Sequence, residues 1–225
     1  MIRDDKRIRI ITGHYGSGKT EFSVNYAMKL KEETGGNVAI ADLDVVNVYF
    51  RSREKKSLFE EHGIRVISSY LEGTVLDLPA VSAEVVSPMI DTSYDYVIDV
   101  GGDKVGARVI ARFARDLPKD QYDLFFVVNA NRKDTSTVEG VIEHLRSIET
   151  TTDLTVTGLI NNTHLVRETS AEDVLKGDQL VKAVSKETGI PVKYASFMEH
   201  IKKDLNQDVS GDIFPMKLYM REDWM

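Results

Sequence analysis

Short, continuously apolar segments alternate with amphipathic segments along this chain. The apolar segments are predicted strands, at residues 7–12, 38–43, 64–68, 94–100, 124–129, 155–160 and 192–197. Strands that are apolar throughout, rather than at every second residue, are typical of a parallel sheet that is buried on both faces. The pattern therefore predicts an α/β protein with three layers (α/β/α) and a mainly parallel central sheet.

The amphipathic segments between these strands are predicted helices. They lie at residues 21–31, 79–90 with an interruption at Pro88, 104–117 and 178–188, and a further helix begins at a capping box of Ser136 and Glu139. Crossovers between parallel strands are right-handed, which brings the loops that follow the strands to one edge of the sheet. We therefore expect the chemistry of the protein at the carboxyl ends of the strands.

Length and composition indicate one main domain. The chain has 225 residues, of which 42% are hydrophobic, and this is enough for a single α/β core. We expect the domain to span residues 1–200. Residues 201–225 are expected to form a C-terminal tail that packs on the domain or on a partner.

Charge and cysteine content argue against several classes of function. The net charge is −7 and the pI is near 5.3, so a general nucleic-acid-binding protein is not expected. The chain contains no cysteine. That excludes disulfides, thiolate zinc sites, cysteine nucleophiles and cysteine-ligated iron–sulfur clusters.

Membrane attachment is not expected either. No apolar run approaches the ~20 residues that span a bilayer, and the charged N-terminus runs directly into the first predicted strand. The tail contains Gly211 and Pro215 and balances acids against bases, unlike a basic amphipathic membrane helix. We expect a cytoplasmic protein without a membrane partner.

Residues 13–20, Gly-His-Tyr-Gly-Ser-Gly-Lys-Thr, fit the phosphate-binding (Walker A) pattern G-x-x-x-x-G-K-[ST] between a predicted strand and helix. The glycines let successive backbone N–H groups face one point, where the N-terminus of the following helix also favours an anion. Lys19 can reach the outer phosphates of a triphosphate, and Thr20 can ligate Mg²⁺. A dinucleotide fingerprint fits less well, because Glu21 stands where its third glycine belongs. The residues expected to bind nucleotide here are Gly13, Gly16, Ser17, Gly18, Lys19, Thr20 and Glu21.

Two carboxylates, Asp42 and Asp44, end the second predicted strand. Residues two apart in an extended segment point to the same side. Beside a triphosphate, Asp44 is a candidate to orient the attacking water, and Asp42 is a candidate metal residue that orders the water shell of Mg²⁺.

The predicted strand that ends at Asp99 is followed by Gly101, Gly102 and Asp103. An apolar strand that ends in Asp is the Walker B arrangement, in which the carboxylate binds Mg²⁺ directly or through water. The N–H group of Gly102 is placed to contact the γ-phosphate. This loop is therefore a candidate sensor for the presence of that phosphate.

Residues 161–164, Asn-Asn-Thr-His, follow the sixth predicted strand. An Asn side chain offers a donor and an acceptor side by side, which suits the N6/N7 edge of adenine. A guanine-binding site would show N-K-x-D at this place, and the Asp is missing. The sequence thus favours ATP over GTP, with Asn162 as the candidate base contact.

These motifs together resemble the MinD/ParA/nitrogenase-iron-protein group of P-loop ATPases. Residues 99–103 are similar to the Asp-Val-Leu-Gly-Asp switch of the iron protein, and residues 158–162 to its Gly-Leu-Ile-Cys-Asn segment. The resemblance runs in the same order from about Arg7 to Phe197. It implies a P-loop NTPase fold and four residue roles: Asp44 as water positioner, Asp99 as Mg²⁺ ligand, Asp103 as switch acid and Asn162 as adenine reader.

Two positions depart from that group. His14 stands where the group has a lysine that reaches the partner's nucleotide across a dimer, and a mostly neutral histidine does not replace a permanent cation. Gly106 stands where the iron protein has its cluster-ligating cysteine, which excludes electron transfer through such a cluster. The candidate replacements for the missing cation are Arg51, Arg53, Lys104 and Arg108.

The motifs and the resemblance predict a Mg²⁺-dependent ATP-binding protein and ATPase, with Lys19, Asp44 and Asp99 as catalytic residues. Hydrolysis would drive a conformational or dimerisation switch, and the expected partners are ATP, a second copy of the chain and an unknown protein client. One alternative is a P-loop kinase or ATP-dependent ligase that acts on a small molecule, similar to dethiobiotin synthetase, with residues 45–60 as a lid. Another is a nucleotide sensor that does not hydrolyse ATP.

Overall fold

One sheet of eight parallel strands forms the centre of the protein. A computed structural model describes residues 2–44, 56–68, 83–118, 120–205 and 208–220. Its strands are β1 (Ile8–Gly13), β2 (Asn37–Asp42), β3 (Ile64–Ser68), β4 (Tyr94–Asp99), β5 (Tyr122–Val128), β6 (Gly158–Asn161), β7 (Val192–Met198) and β8 (Asp212–Met216). They lie in the order β3-β2-β4-β1-β5-β6-β7-β8, and each neighbouring pair is parallel.

Helices cover both faces of this sheet. The α-helices within the described residues are α1 (Lys19–Thr34), α2 (Lys56–Glu61), α3 (Ala83–Ile90), α4 (Lys104–Ala111), α5 (Val138–Thr152) and α6 (Ala171–Thr188). Helices α3 to α6 pack on the face to which Ile10 points, and α1 and α2 pack on the face to which Ile11 points. This alternation follows from the two-residue period of a strand. The predicted three-layer α/β/α fold is confirmed, and the sheet is parallel throughout the described strands.

Helix α1 begins within the phosphate-binding pattern rather than after it. Its first residue is Lys19, and its N-cap is Gly18 in a left-handed conformation (φ 80°). The helix ends at Gly35, also left-handed, whose N–H donates to the carbonyl oxygen of Lys31 over 2.9 Å. A left-handed glycine is a common helix terminator. Lys19 and Thr20 therefore lie in the first turn of a helix whose buried face fixes their position.

The predicted end of α4 and the predicted cap of α5 are wrong. Helix α4 ends at Ala111 rather than at residue 117, and turns follow it. The predicted capping box of Ser136 and Glu139 does not form. Thr137 caps α5 instead, by accepting the N–H of Gly140 over 3.1 Å, because the Ser136 hydroxyl donates to the carbonyl oxygen of Lys133 over 2.8 Å.

The structure also lengthens and shifts other predicted elements. Helix α6 begins at Ala171, well before residue 178, and its start is fixed by a capping box of Ser170 and Asp173. Strand β6 begins at Gly158 rather than at residue 155. Helix α3 contains Pro88, and residues 79–82 of the predicted helix lie outside the described residues.

Strand β8 lies in the tail, where the sequence predicts no strand. It pairs in parallel with β7, with Ala195 opposite Ile213 and Ser196 opposite Phe214. Pro215 lies within β8, where a proline is tolerated because the strand is at the edge of the sheet. How the chain divides into domains near residue 200 remains a prediction. None of the helices in the described part of the chain is long and apolar enough to cross a membrane.

Phe214 of β8 is a core residue that packs against aromatic rings of α1 and β7. Its ring centroid lies 4.8 Å from that of Phe22, 5.5 Å from that of Tyr194 and 6.0 Å from that of Tyr26. Phe214 is buried, whereas the neighbouring Ile213 on the same strand is 43% exposed. The tail strand is thus packed against the helix that follows the phosphate-binding pattern.

We predict that Phe214→Ala lowers the free energy of unfolding by about 3–5 kcal/mol, the usual cost of truncating a buried Phe. Ile213→Ala is the matched control on the same strand and is expected to cost less than about 1 kcal/mol because its side chain is partly solvated. Urea unfolding of both variants measures the difference. Equal losses of stability contradict a structural role for β8 in this core.

Candidate functional site

The loops that follow β1, β2, β4, β5 and β6 meet at the carboxyl edge of the sheet. Strand β1 lies between β4 and β5, so the phosphate-binding loop after it is flanked by the loops after those two strands. This is the edge at which parallel α/β sheets bind ligands. The residues predicted from the separate motifs are therefore neighbours in space.

Side chains from the loops after β5 and β6 hold the phosphate-binding loop in place. The amide nitrogen of Asn162 donates to the carbonyl oxygen of Ser17 over 2.7 Å, and Nε of Arg132 donates to that of Gly16 over 2.9 Å. A Cβ on Gly18 would lie 2.4 Å from Nδ2 of Asn162. Gly16 and Gly18 are both left-handed, at φ 75° and 80°. Their backbone conformation and their close neighbours both exclude a side chain.

Lys19 is a buried cation that is paired with Asp44. Its Nζ lies 2.7 Å from Oδ2 of Asp44, and the two side chains are only 6% and 3% exposed. Burial alone would lower the pKa of Lys19, but the carboxylates of Asp99 and Asp44 outweigh it and raise that pKa. Lys19 is therefore charged at neutral pH and stands ready to pair with an anion.

Asp99 at the end of β4 accepts two hydroxyl hydrogen bonds from α1. Oγ1 of Thr20 donates to Oδ2 over 2.7 Å, and Oγ of Ser23 donates to Oδ1 over 3.2 Å. Complete burial raises the pKa of Asp99 to about 6, although the charge of Lys19 acts in the opposite direction. Ser23 was not predicted. Its position one helical turn after Lys19 is the sequence feature that could have identified it.

Asp42 lies beside Asp99, because the two residues are opposite each other in the β2–β4 register. Oδ1 of Asp42 accepts the backbone N–H of Asp44 over 3.2 Å, which shapes the turn that presents Asp44. The carboxylates of Asp99, Asp44 and Asp42 each raise the pKa of Lys19 and so favour its charged form. The structure thus brings the two predicted carboxylate motifs to one lysine.

Thr20 and Asp99 fit a Mg²⁺ ion that arrives with a nucleotide. Within the described ranges, no group of three or more His, Asp or Glu side chains is arranged to hold a metal by itself. Mg²⁺ does not need one, because it commonly takes one or two protein oxygens and completes its shell with phosphate oxygens and water. The hydroxyl of Thr20 and the carboxylate of Asp99 are adjacent oxygens of this kind.

The loop at residues 101–103 packs directly on the phosphate-binding loop. A Cβ on Gly102 would lie 1.7 Å from the carbonyl oxygen of Gly13, so the two backbones touch. A Cβ on Gly106 would lie 2.5 Å from Cα of Gly101, which leaves no room for the cysteine found there in the iron protein. Asp103 caps α4 by accepting the N–H of Gly106 over 2.6 Å. Its role as a switch acid remains a prediction.

His14, at the position of the missing lysine, contacts residues that were not predicted. Its ring lies edge-on to that of His144, with centroids 4.7 Å apart, and its Nε2 lies 3.3 Å from Oδ2 of Asp134. Burial and the neighbouring His14 lower the pKa of His144. The two histidines border a cavity that also reaches Lys19 and Asp44.

A second cavity opens on the other side of the phosphate-binding loop. Gly18, Lys19 and Thr20 form one end of it. Apolar side chains form much of the rest, namely Val166, Phe197, Met198, Met216, Leu218 and Met220. We call this space the apolar cavity.

Asn162 borders the apolar cavity, but both ends of its amide have protein partners. Nδ2 donates to Ser17 as described, and Oδ1 accepts the hydroxyl of Ser196 over 2.9 Å. Its role as the adenine reader remains a prediction. Asn129 also contacts the loop, since its Nδ2 donates to the carbonyl oxygen of Gly16 over 3.3 Å. Asn129 is the last residue of the strand predicted at residues 124–129, and Arg132 follows that strand; neither was predicted as a site residue.

Of the four candidate cations, Lys104 and Arg108 lie on α4, after the 101–103 loop. Arg51 and Arg53 lie outside the described residues. Arg132 is the cation that the structure places against the phosphate-binding loop within the described ranges.

No protein-family profile and no curated protein sequence matches the chain. Solved structures do. The fold is similar to that of cell division protein FtsY from Thermotoga maritima, at 23% identity and a TM-score of 0.57, over 83% of this chain and 60% of that one. Chloroplast FtsY from Physcomitrella patens matches at 20% identity and 0.57, over 83% and 56%. FtsY from Elizabethkingia anophelis in complex with GDP matches at 18% and 0.54, over 83% and 55%.

The fold is that of a P-loop NTPase. At these identities the similarity concerns the fold, and the chain spans 60% or less of the length of each of these three structures. The narrower resemblance to the MinD/ParA/iron-protein group remains a prediction.

The raised pKa of Asp99 predicts a pH-dependent stability difference between the wild-type protein and Asp99→Asn, both in EDTA. A carboxyl group with a pKa of about 6 when folded, against about 3.9 when unfolded, binds its proton more readily in the folded state. The stability of the wild type should therefore rise relative to the variant as the pH falls from about 8 to about 5, by on the order of 1 kcal/mol. Urea unfolding at both pH values measures the change. A constant difference, or one that changes in the opposite direction, contradicts the assignment.

Proposed function

We propose that this protein is a Mg²⁺-dependent ATP-binding protein and ATPase that acts as a nucleotide-driven switch. The observation that carries the proposal is the buried pair of Lys19 and Asp44, 2.7 Å apart beside the phosphate-binding loop. Burying two charges is costly, and proteins keep such pairs where they have a structural or functional role. Here the cation lies where a triphosphate would meet it.

A triphosphate competes with Asp44 for Lys19. The backbone N–H groups of the loop and the start of α1 favour the phosphates, and the Lys19 ammonium pairs with their outer oxygens. Lys19 is then shared with the phosphates, and the Asp44 carboxylate can accept a hydrogen bond from the attacking water. Thr20 and Asp99 would hold Mg²⁺, with Asp42 ordering its water. When bound, the ion would neutralise part of the phosphate charge.

The 101–103 loop is placed to respond to this exchange. A Cβ on Gly101 would lie 3.2 Å from Oδ1 of Asp44, so the loop is in contact with the carboxylate that changes partner. Gly102 lies against Gly13, and Asp103 caps α4. We propose that the loss of the γ-phosphate is transmitted through these contacts to α4.

ATP is proposed as the nucleotide because residues 161–164 lack the N-K-x-D pattern expected of a guanine site. A structural neighbour, FtsY from Elizabethkingia anophelis, was solved with GDP. GTP is therefore the nucleotide against which ATP binding should be compared.

A homodimer is proposed as the state that ATP favours. Tyr15 on the phosphate-binding loop is 69% exposed, and Val105 at the start of α4 is 55% exposed. Both apolar side chains flank the loops that meet the γ-phosphate, and a second copy of the chain would remove them from water. The client of the switch is proposed to be a protein, and we propose no nucleic-acid or membrane partner, in keeping with the net charge of −7.

The cavity beside His14 and His144 favours a second candidate function. It adjoins Lys19 and Asp44 and is bordered by His14 and His144, a space in which a small acceptor could lie next to the γ-phosphate. The protein would then be a P-loop kinase or an ATP-dependent ligase similar to dethiobiotin synthetase. A metabolite that raises ADP release many-fold and is itself phosphorylated would favour this function over hydrolysis.

We predict opposite phenotypes for Lys19→Ala and Asp44→Ala. Loss of the lysine charge should weaken Mg²⁺–ATP binding about 10- to 100-fold. Loss of the Asp44 carboxylate should leave binding intact or tighter, because a competitor for Lys19 is gone, and should slow hydrolysis about 100-fold or more. Calorimetry and phosphate release measure the two quantities.

Lys29→Ala, on the same helix and away from the phosphate-binding loop, is the control and should behave like the wild type in both assays. Circular dichroism confirms that each variant is folded. Hydrolysis by Asp44→Ala at the wild-type rate contradicts the proposed role of that carboxylate.

A further inference from the structure

The C-terminal segment forms one wall of the apolar cavity. Met216 ends β8, and Leu218 and Met220 follow it along the same wall. The cavity continues directly from Gly18, Lys19 and Thr20. A nucleotide with its phosphates on those residues would therefore place its base in this space.

The segment at residues 217–220 is held in place by the helix that begins at the phosphate-binding loop. The Asn25 amide brackets Lys217: its Nδ2 donates to the Lys217 carbonyl and its Oδ1 accepts the Lys217 N–H, each over 2.8 Å. One turn earlier, the Glu21 carboxylate accepts the N–H groups of Tyr219 and Met220, the latter over 3.1 Å. These hydrogen bonds join α1 to the tail backbone.

This arrangement changes the interpretation of Glu21. The sequence placed Glu21 among the nucleotide-binding residues, and it does border the apolar cavity. Its carboxylate, however, is directed to tail N–H groups. A carboxylate is also a poor direct neighbour for phosphates, because the like charges repel. Glu21 is thus better suited to positioning the wall than to contacting the nucleotide.

The side chains around the cavity favour contact with the faces of a base over recognition of its edge. The Asn162 amide is engaged at both ends, and the Thr169 hydroxyl donates to the Val166 carbonyl and accepts the N–H of Leu165. Arg132 and His164 also border the cavity beside the phosphate-binding loop, and the rest of the wall is largely apolar. Methionine and leucine side chains pack against flat aromatic rings without distinguishing their polar edges.

We propose that Leu218 and Met220 form a purine-contacting wall, and that Asn25 and Glu21 are positioning residues that dock it on α1. This deepens the proposed function and rests on it, because a purine reaches the wall only if the triphosphate binds the loop. Base binding and tail docking then support each other, and the tail contributes affinity for either purine.

The test compares nucleotides with a ligand that has phosphates but no base. The dissociation constants of Mg²⁺–ATP, Mg²⁺–GTP and Mg²⁺–tripolyphosphate are measured by calorimetry on the full chain. The double variant Leu218→Ala, Met220→Ala should weaken ATP and GTP binding about 10-fold or more, from the loss of apolar contact, and leave tripolyphosphate binding unchanged. Asn25→Ala should shift the same ratio in the same direction.

Two further variants serve as controls. Met220→Leu keeps an apolar side chain and should retain wild-type affinity for ATP. Ile213→Ala changes an exposed tail residue outside the cavity and should alter no dissociation constant. A merely structural effect of the double variant would weaken tripolyphosphate and nucleotide binding together, which overturns the proposal.

These measurements distinguish failure of the proposed function from failure of the purine wall. Wild-type protein that binds neither ATP nor tripolyphosphate overturns the proposed function and the purine wall with it. Wild-type protein that binds both, with the same ratio of dissociation constants in the double variant, overturns the purine wall alone.

Discussion

The buried charge of Lys19 is the interaction around which this site is arranged. Without an anion it is balanced by Asp44 over 2.7 Å and by the more deeply buried Asp99. Since the lysine cannot readily lose its charge in this setting, a change of its partner is the available response to a phosphate. That exchange would release Asp44 beside Gly101, and it links nucleotide binding to the shape of the neighbouring loop.

Close backbone packing joins the phosphate-binding loop to the 101–103 loop and to the start of α4. The backbone of Gly102 is in close contact with that of Gly13, and Gly106 in the first turn of α4 is in close contact with Gly101. The tail is connected to α1 through Asn25. The phosphate-binding loop therefore lies beside the proposed switch loop on one side and beside the proposed purine wall on the other.

The sequence predicted the parts of this site that follow from local patterns. The loop at residues 13–20 has a fixed spacing, and right-handed crossovers bring strand ends such as Asp44 and Asp99 to one edge. The contacts of Arg132 and His144 with the loop could not be predicted, because they join residues far apart in the chain. Strand β8 was missed because it is short and contains Pro215, and because its stability comes from aromatic packing rather than from local propensity.

The claim that nucleotide state sets the state of the protein is tested most directly by molar mass from light scattering. The wild type and Asp44→Ala are measured with Mg²⁺ and either ADP or ATP. A dimer that forms only with ATP, and that persists longer in Asp44→Ala, is the predicted result. A mass that is the same with either nucleotide in both proteins contradicts a dimerisation switch, and it would direct attention to a small-molecule acceptor in the cavity beside His14 and His144.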